Sequence, residues 1–245
     1  MAKIWNITKW LDQELEIEKF EDPANNGLQV QGKEEVKRIA FAVDVSKEAI
    51  KEAAGRKVDL LITHHSLIWG GVNRIVGLHY ERIKLLMKHN IALYVAHLPL
   101  DAHAEYGNNI LLAKKLGLKD LEKFGTPEIG VQGYGKWTFK DATKLVEKKI
   151  AKPLSWYFGP GYCNKVVIVS GSGLSFLQEA KKAGADLFIT GEPKHSMYHD
   201  AKELGINVLC AGHYATETIG LKKLAAVMKK KYQVSCYFVD APTGL

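Results

Sequence analysis

The sequence has little cysteine and no long apolar run. Its three cysteines, Cys163, Cys210 and Cys236, include no C-x-x-C pair. Such a set argues against a disulfide scaffold or a cysteine zinc site and favours a reducing cytoplasm. No segment approaches the roughly 18 uncharged apolar residues that a membrane span needs, and the chain turns polar at Lys3, too early for a signal peptide. We therefore expect a cytoplasmic protein without a membrane partner.

Arginine is also scarce, since only four of the 34 basic residues are arginine. Arginine is the side chain that most often reads base edges in DNA. The formal net charge is nevertheless +7, of which residues 1–125 carry +1 and residues 126–245 carry +6. This surplus could attract polyanions, but lysine enrichment is also common in proteins from hot environments. Nucleic-acid binding is thus an alternative that charge alone does not establish.

Short apolar runs alternate with stretches of helical period along most of the 245 residues. For example, Ile39–Val43 and Leu60–Ile62 are typical of buried strands, and Ser46–Arg56 between them is typical of a helix capped by Ser46. Asn108–Leu116 predicts another helix, and the glycine-rich segment Gly125–Gly135 predicts a loop. Repeated strand–helix–strand units predict an α/β fold in which helices cover largely parallel sheets.

One internal repeat stands out at an offset of 127 residues. The segment Glu52-Ala53 followed by Asp59–Thr63 matches Glu179-Ala180 followed by Asp186–Thr190. Six of these seven positions are identical, and the seventh exchanges leucine for phenylalanine. The repeat predicts two similar α/β domains, residues 1–125 and 126–245, with equivalent strand ends around a cleft.

Candidate metal ligands follow the predicted strands. His64 and His65 come directly after an apolar strand, where an open α/β sheet places its ligands. Taken alone, a histidine pair is more often a polar turn than a metal site, although neutral imidazole is the commonest metal-binding side chain.

Two further strand ends add to the histidine pair. One runs into His97 and Asp101, and the other runs into His213 and Glu217. If the chain after Tyr214 is helical, His213 and Glu217 share one helical face. His97 has two interpretations: a structural histidine, or one that acts as acid and base or supports the ligands.

Five of these residues form an imidazole and carboxylate set that suits Zn²⁺, Mn²⁺, Fe²⁺ or Co²⁺. They are His64, His65, Asp101, His213 and Glu217. Five ligands exceed the three protein ligands of a catalytic zinc site, but they suffice for two metals bridged by a carboxylate and a water. Glu217 has the longest reach and is the expected bridge.

Several short motifs together resemble the Nif-three-like family, whose members are often catalogued as GTP cyclohydrolase I type 2 homologs. They occur in the order Asn26–Val30, Thr63–Leu67, Ala96–Asp101, Thr190–Glu192 and Gly212–Glu217. The resemblance covers roughly residues 5–240. The chain departs from the commonest pattern at Ser66, where proline is usual, and it lacks the inserted domain of longer members.

The resemblance implies a dinuclear metal centre between two similar α/β domains, held by the five residues given above. It also implies a toroidal homohexamer whose sites face an internal cavity. Family members have been assigned cyclohydrolase activity in some cases and DNA or protein partners in others.

Two functions follow as hypotheses. The first is a dinuclear metal-dependent hydrolase acting on a nucleotide or another phosphorylated small molecule. The alternative is a hexameric binding or scaffolding protein in which the metals are structural and the basic surface engages DNA or a protein partner.

Overall fold

The computed structural model describes residues 2–71 and 74–245. The chain folds as two compact units. Unit 1 comprises the residues up to 100 together with 220–241, and unit 2 comprises residues 101–219 together with 242–245. The sequence predicts a single boundary after residue 125. In the structure, residues 101–125 belong to unit 2 and residues 220–241 belong to unit 1.

The strands in the described part of the chain are short, mostly of two to six residues. They are β1 Ala2–Lys3, β2 Gly27–Val30, β3 Glu35–Val36, β4 Arg38–Ala42, β5 Leu60–Thr63, β6 Ala92–Val95, β7 Lys119–Phe124, β8 Gly130–Thr138, β9 Leu154–Trp156, β10 Tyr162–Val169, β11 Leu187–Thr190, β12 Asn207–Cys210 and β13 Ser235–Phe238.

Helices follow most of the strands. They are α1 Ile4–Glu14, α2 Lys47–Gly55, α3 Gly77–His89, α4 Leu98–Ala102, α5 Asn108–Leu116, α6 Phe139–Lys149, α7 Leu177–Lys182, α8 Tyr198–Leu204 and α9 His213–Tyr232. Ser46 caps α2 as predicted, because its side chain accepts a hydrogen bond from the N–H of Ala49. Among the described helices, none combines the length and the apolarity needed to cross a bilayer.

Unit 1 contains a five-stranded sheet in the order β13-β4-β5-β6-β2. The neighbours among β13, β4, β5 and β6 run parallel, and β2 pairs antiparallel with β6. Every residue of β5 and β6 is buried, as expected for central parallel strands covered on both faces. The apolar core packs α2 residues such as Ala49 and Ile50 against sheet residues such as Leu61 and Leu93.

Unit 2 contains a six-stranded sheet in the order β7-β8-β10-β11-β12-β9. Only the pairs β10–β11 and β11–β12 of its described ladders are parallel, and the other three are antiparallel. The α/β fold is thus confirmed, but the sheets are mixed rather than largely parallel. The reason is that β7 and β8 form a hairpin on one edge and β9 returns antiparallel on the other.

The prediction of a loop over Gly125–Gly135 is wrong from Gly130 onward, where β8 begins. The glycines of β8 permit close packing instead of marking a turn. A Cβ atom on Gly133 would lie 2.9 Å from the carbonyl oxygen of Lys119 and 2.7 Å from Leu121. Composition alone does not separate these two uses of glycine.

An aspartate directly precedes a central strand in each unit, and it is buried in unit 1 and half-buried in unit 2. In unit 1, the carboxylate of Asp59 accepts the backbone N–H groups of Lys37 and Arg38 at 2.9 and 3.0 Å. In unit 2, Asp186 accepts those of Asn164 and Lys165 at 2.9 and 3.0 Å. These donors, like the aspartates, are 127 positions apart, which supports the predicted repeat.

Asp59→Asn should lower the free energy of unfolding by about 1–3 kcal/mol at neutral pH, because charged hydrogen bonds are lost. Burial opposes ionisation of Asp59, but hydrogen bonds from Lys37, Lys33 and Arg38 outweigh it and lower its pKa. A lowered folded-state pKa contributes stability that is present above the unfolded value and is lost as the pH falls through the folded one.

Urea unfolding of both proteins at about pH 7 and about pH 3 measures this effect. The difference should shrink in acid, and Glu203→Gln, an exposed carboxylate on α8, should show none at either pH. A difference that persists unchanged at the lower pH would contradict the assignment.

Candidate metal centre

Three histidines of unit 1 converge at the carboxyl ends of adjacent parallel strands. His64 and His65 follow β5, and His97 follows β6. The ring centroid of His64 lies 5.3 Å from that of His65 and 5.1 Å from that of His97. One ring nitrogen from each residue lies within 4.8 Å of the other two. We call His64, His65 and His97 the histidine cluster.

Backbone hydrogen bonds fix the chain where it leaves β5. The N–H of His65 donates to the carbonyl of Val43 at 2.8 Å, and the hydroxyl of Thr63 donates to the carbonyl of His65 at 2.8 Å. His97 is held by its own N–H, which donates to the side-chain oxygen of Asn26 at 2.8 Å. The cluster is therefore built on strand ends and a turn whose backbone is fixed.

Each imidazole of the cluster donates its Nδ1–H to an oxygen. His64 donates to the carbonyl of Ala96 at 2.9 Å, and His65 donates to Asp44 at 2.7 Å. His97 donates to both carboxylate oxygens of Asp22 at 2.9 and 3.0 Å. With the proton on Nδ1, a neutral imidazole carries its lone pair on Nε2, and such bonds are typical of metal-binding histidines.

Asp22 organises the segment around His97. Besides the imidazole, its carboxylate accepts the N–H groups of Ala24 and Leu98 and the side-chain amide of Asn26. Burial disfavours the charged form, since the side chain is 1% exposed. The hydrogen bonds and the interaction with His97 outweigh burial, and the pKa of Asp22 is lowered. An ionised Asp22 therefore orients His97.

Unit 2 has a histidine and a carboxylate at the N-terminal end of α9. His213 Nε2 lies 3.1 Å from Oε1 of Glu217, four residues later, which confirms the predicted shared face. His213 Nδ1 lies 3.0 Å from Glu192. Burial lowers the pKa of His213, but the two carboxylates outweigh it and raise that pKa to about 9. We call His213 and Glu217 the His213–Glu217 pair.

Gly171 leaves room for the carboxylate of Glu217. Its φ of +60° lies in the left-handed region, and an added Cβ would lie 2.2 Å from Oε1 of Glu217. The N–H of Gly171 donates to the hydroxyl of Thr216 at 3.1 Å. Gly171 lies in the loop that follows β10, and its bond to Thr216 holds this loop beside the neighbouring Glu217.

Asp101 lies at the end of α4 and is buried. Its Oδ1 accepts the amide of Asn108 at 2.8 Å and the hydroxyl of Ser170 at 2.9 Å. These bonds hold an anionic oxygen donor in a fixed position within unit 2. A buried carboxylate supported in this way is typical of a metal ligand as well as of a structural aspartate.

Within the units, the structure groups the predicted residues in three places. These are the histidine cluster, the His213–Glu217 pair and Asp101. The assignment of five of them as ligands stays a prediction. Sequence reasoning missed three carboxylates that accept hydrogen bonds from these histidines, namely Asp22, Asp44 and Glu192. Asp44 follows strand β4 and Glu192 follows strand β11, so their positions at strand ends could have suggested these two.

Comparison with known proteins places these residues in a family. The profile of the family Duf34/NIF3 (NGG1p interacting factor 3) matches residues 2–243. A protein of Archaeoglobus fulgidus named GTP cyclohydrolase 1 type 2 homolog is 45% identical over 98% of both chains. One of Pyrococcus abyssi with the same name is 44% identical, again over 98% of both.

Solved structures agree with the sequence comparison. The crystal structure of TTHA1606 from Thermus thermophilus matches with a TM-score of 0.93 and 41% identity over 100% of both chains. Reduced HcgD from Methanocaldococcus jannaschii matches with a TM-score of 0.89 and 29% identity over 98% of both chains.

Gly171→Ala tests the predicted role of Glu217 as a metal ligand. Its methyl group would displace the Glu217 carboxylate, so the affinity for Mn²⁺ should fall about 10- to 100-fold. Isothermal titration calorimetry measures the affinity. Gly184→Ala is the matched control, since Gly184 also has a positive φ of +82° but has no atom within 4 Å of an added Cβ. Equal Mn²⁺ affinities for the two variants would show that the space beside Glu217 does not matter.

Proposed function

The chain belongs to the Duf34/NIF3 family, and from this membership and the histidine cluster we propose that it is a dinuclear metal-dependent hydrolase. Its substrate is a nucleotide or another phosphorylated small molecule. The name GTP cyclohydrolase 1 type 2 homolog, carried by the relatives compared above, supports a substrate of the nucleotide class.

The observation that carries the proposal is the bonding of Nδ1 in all three imidazoles of the histidine cluster. With the proton held on Nδ1, the lone pair of each neutral ring is on Nε2, and the three rings lie close enough that one nitrogen of each is within 4.8 Å of the others. Two ions need several anionic ligands as well, because adjacent cations repel. We propose that His64 and His65 act together with Asp101 and the His213–Glu217 pair, with Glu217 as the bridge.

The chemistry of the donors fits this assignment. Imidazole nitrogen and carboxylate oxygen suit Zn²⁺, Mn²⁺, Fe²⁺ and Co²⁺. Thiolate ligation is disfavoured in unit 2, since burial and the nearby charge of Glu192 raise the pKa of Cys210 to about 12. Divalent ions bound by these residues would polarise the bond under attack and acidify a bound water.

His97 has a different role in the proposal. Its Nδ1–H is held by the ionised Asp22, so its Nε2 can accept the proton of the attacking water and later return it to the leaving group. Asp22 is the positioning residue that fixes the ring and stabilises the imidazolium. Without Asp22, the ring of His97 could turn and lose its alignment.

The wider setting of the enzyme is also a proposal. The family resemblance favours a homohexamer, and the thiols favour the cytoplasm. The basic residues of α9 and of its neighbours would then serve solubility and attraction of an anionic substrate.

Substitution at the two kinds of histidine separates binding from catalysis. His64→Ala should reduce the metal content of purified protein below two ions per chain and abolish turnover. His97→Ala should keep the metal content but lower kcat about 10²- to 10⁴-fold, because a proton carrier is lost. Metal analysis and a metabolite turnover screen measure both, with the exposed His89→Ala as control.

Chelation should abolish turnover in the same screen, and Zn²⁺, Mn²⁺ or Fe²⁺ should restore it. If no compound in a broad panel of nucleotides and phosphoesters shows metal-dependent turnover, that result would contradict the proposed hydrolase activity. If His64→Ala also kept its biological activity while charge reversal at Lys222, Lys223 and Lys229–Lys231 abolished it, the scaffolding alternative would replace it.

A further inference from the structure

Trp69 lies beside the histidine cluster and is 45% exposed. Its ring centroid is 5.2 Å from that of His97, with the planes at 84°, and 6.5 Å from that of His65. The mechanism proposed above does not use this side chain. Tryptophan offers the largest apolar surface of any residue, so leaving nearly half of it exposed forgoes stabilisation that burial would give.

The backbone of Trp69 is held in place on its N-terminal side and by a strand-like bridge. The side-chain oxygen of Gln29 accepts the N–H groups of Leu67 and Ile68 at 3.1 and 3.2 Å. Trp69 itself forms an antiparallel bridge with Ala24. The indole is therefore presented from a fixed backbone, which reduces the conformational entropy that a ligand would otherwise have to remove.

We propose that Trp69 is the stacking surface for a planar heteroaromatic ring of the substrate, of the purine type. Aromatic rings stack with an offset or meet edge to face, and indole is an effective partner for nucleobases. The short separation from His97 and His65 would place a ring on Trp69 next to the reacting groups. This inference rests on the proposed function and narrows its substrate class to compounds that carry such a ring.

Trp69 is thus assigned to substrate specificity rather than to metal binding. The phosphate and sugar of a nucleotide would bind elsewhere in the site, so loss of stacking should affect only ligands with a base. Guanosine 5′-monophosphate and ribose 5-phosphate share the sugar and the phosphate and differ in the base. The ratio of their dissociation constants measures what the base contributes.

The experiment is calorimetric titration of both compounds into Mn²⁺-loaded wild type, Trp69→Leu and Trp69→Phe. Both replacements are apolar, but only phenylalanine keeps an aromatic face. Trp69→Leu should raise the dissociation constant of guanosine 5′-monophosphate about tenfold and leave that of ribose 5-phosphate within about twofold of the wild-type value. Trp69→Phe should bind both compounds with dissociation constants within about threefold of the wild-type values. Trp5→Leu, at a tryptophan that is 52% exposed on α1, should change neither.

Three results would overturn the proposal: equal binding of the two compounds by wild type, equal losses in the leucine and phenylalanine variants, or parallel weakening of both compounds. The test is independent of turnover. If the base-dependent ratio collapses in Trp69→Leu but no metal-dependent turnover is found, the stacking surface stands and the hydrolase fails. Turnover without a base-dependent ratio would instead support the hydrolase and refute the stacking surface.

Discussion

The candidate site depends on a hydrogen bond made at the same atom of three imidazoles. In His64, His65 and His97, Nδ1 donates to an oxygen, and the oxygens come from a carbonyl and from two aspartates. A histidine without such a partner can turn and exchange its proton between the two nitrogens. Here the proton is fixed on Nδ1, so the lone pair of each neutral ring is on Nε2. In the proposed function, this fixes the rings of His64 and His65 for a cation and the ring of His97 for proton transfer.

The fold supplies the oxygens as well as the histidines. His64 and His65 follow one buried parallel strand, and His97 follows its neighbour, so strand pairing brings them together. Asp44 follows a third strand of the same sheet, paired with the first. The ends of parallel strands meet at one edge of a sheet. In unit 2 the same logic places Glu192 after β11 and His213 after β12.

Much of this could be predicted from the sequence, because buried parallel strands are continuous apolar runs and polar residues that directly follow them stand out. The histidine pair and the helical spacing of His213 and Glu217 are signals of this kind. The antiparallel hairpin was not predictable in the same way, since the glycines of β8 look like turn residues until their close neighbours are known. The role of Asp22 was also hidden, because it is far from His97 in sequence and lies outside any strand.

The two units share one backbone arrangement around an aspartate. Asp59 and Asp186 each accept two backbone N–H groups, and the donors in the two units are 127 positions apart, as the aspartates are. The sheets around them differ. Unit 2 has the β7–β8 hairpin, and unit 1 has His64 and His65 at the positions that correspond to Gly191 and Glu192 of unit 2.

The most direct test of this account is a crystal structure of Mn²⁺-soaked protein with anomalous diffraction measured at the metal edge. The account predicts two anomalous peaks about 3.5–4 Å apart, with Nε2 of His64 and of His65 and the carboxylate of Glu217 in the coordination shells. A single peak held without Glu217, or no peak at the histidine cluster, would contradict it.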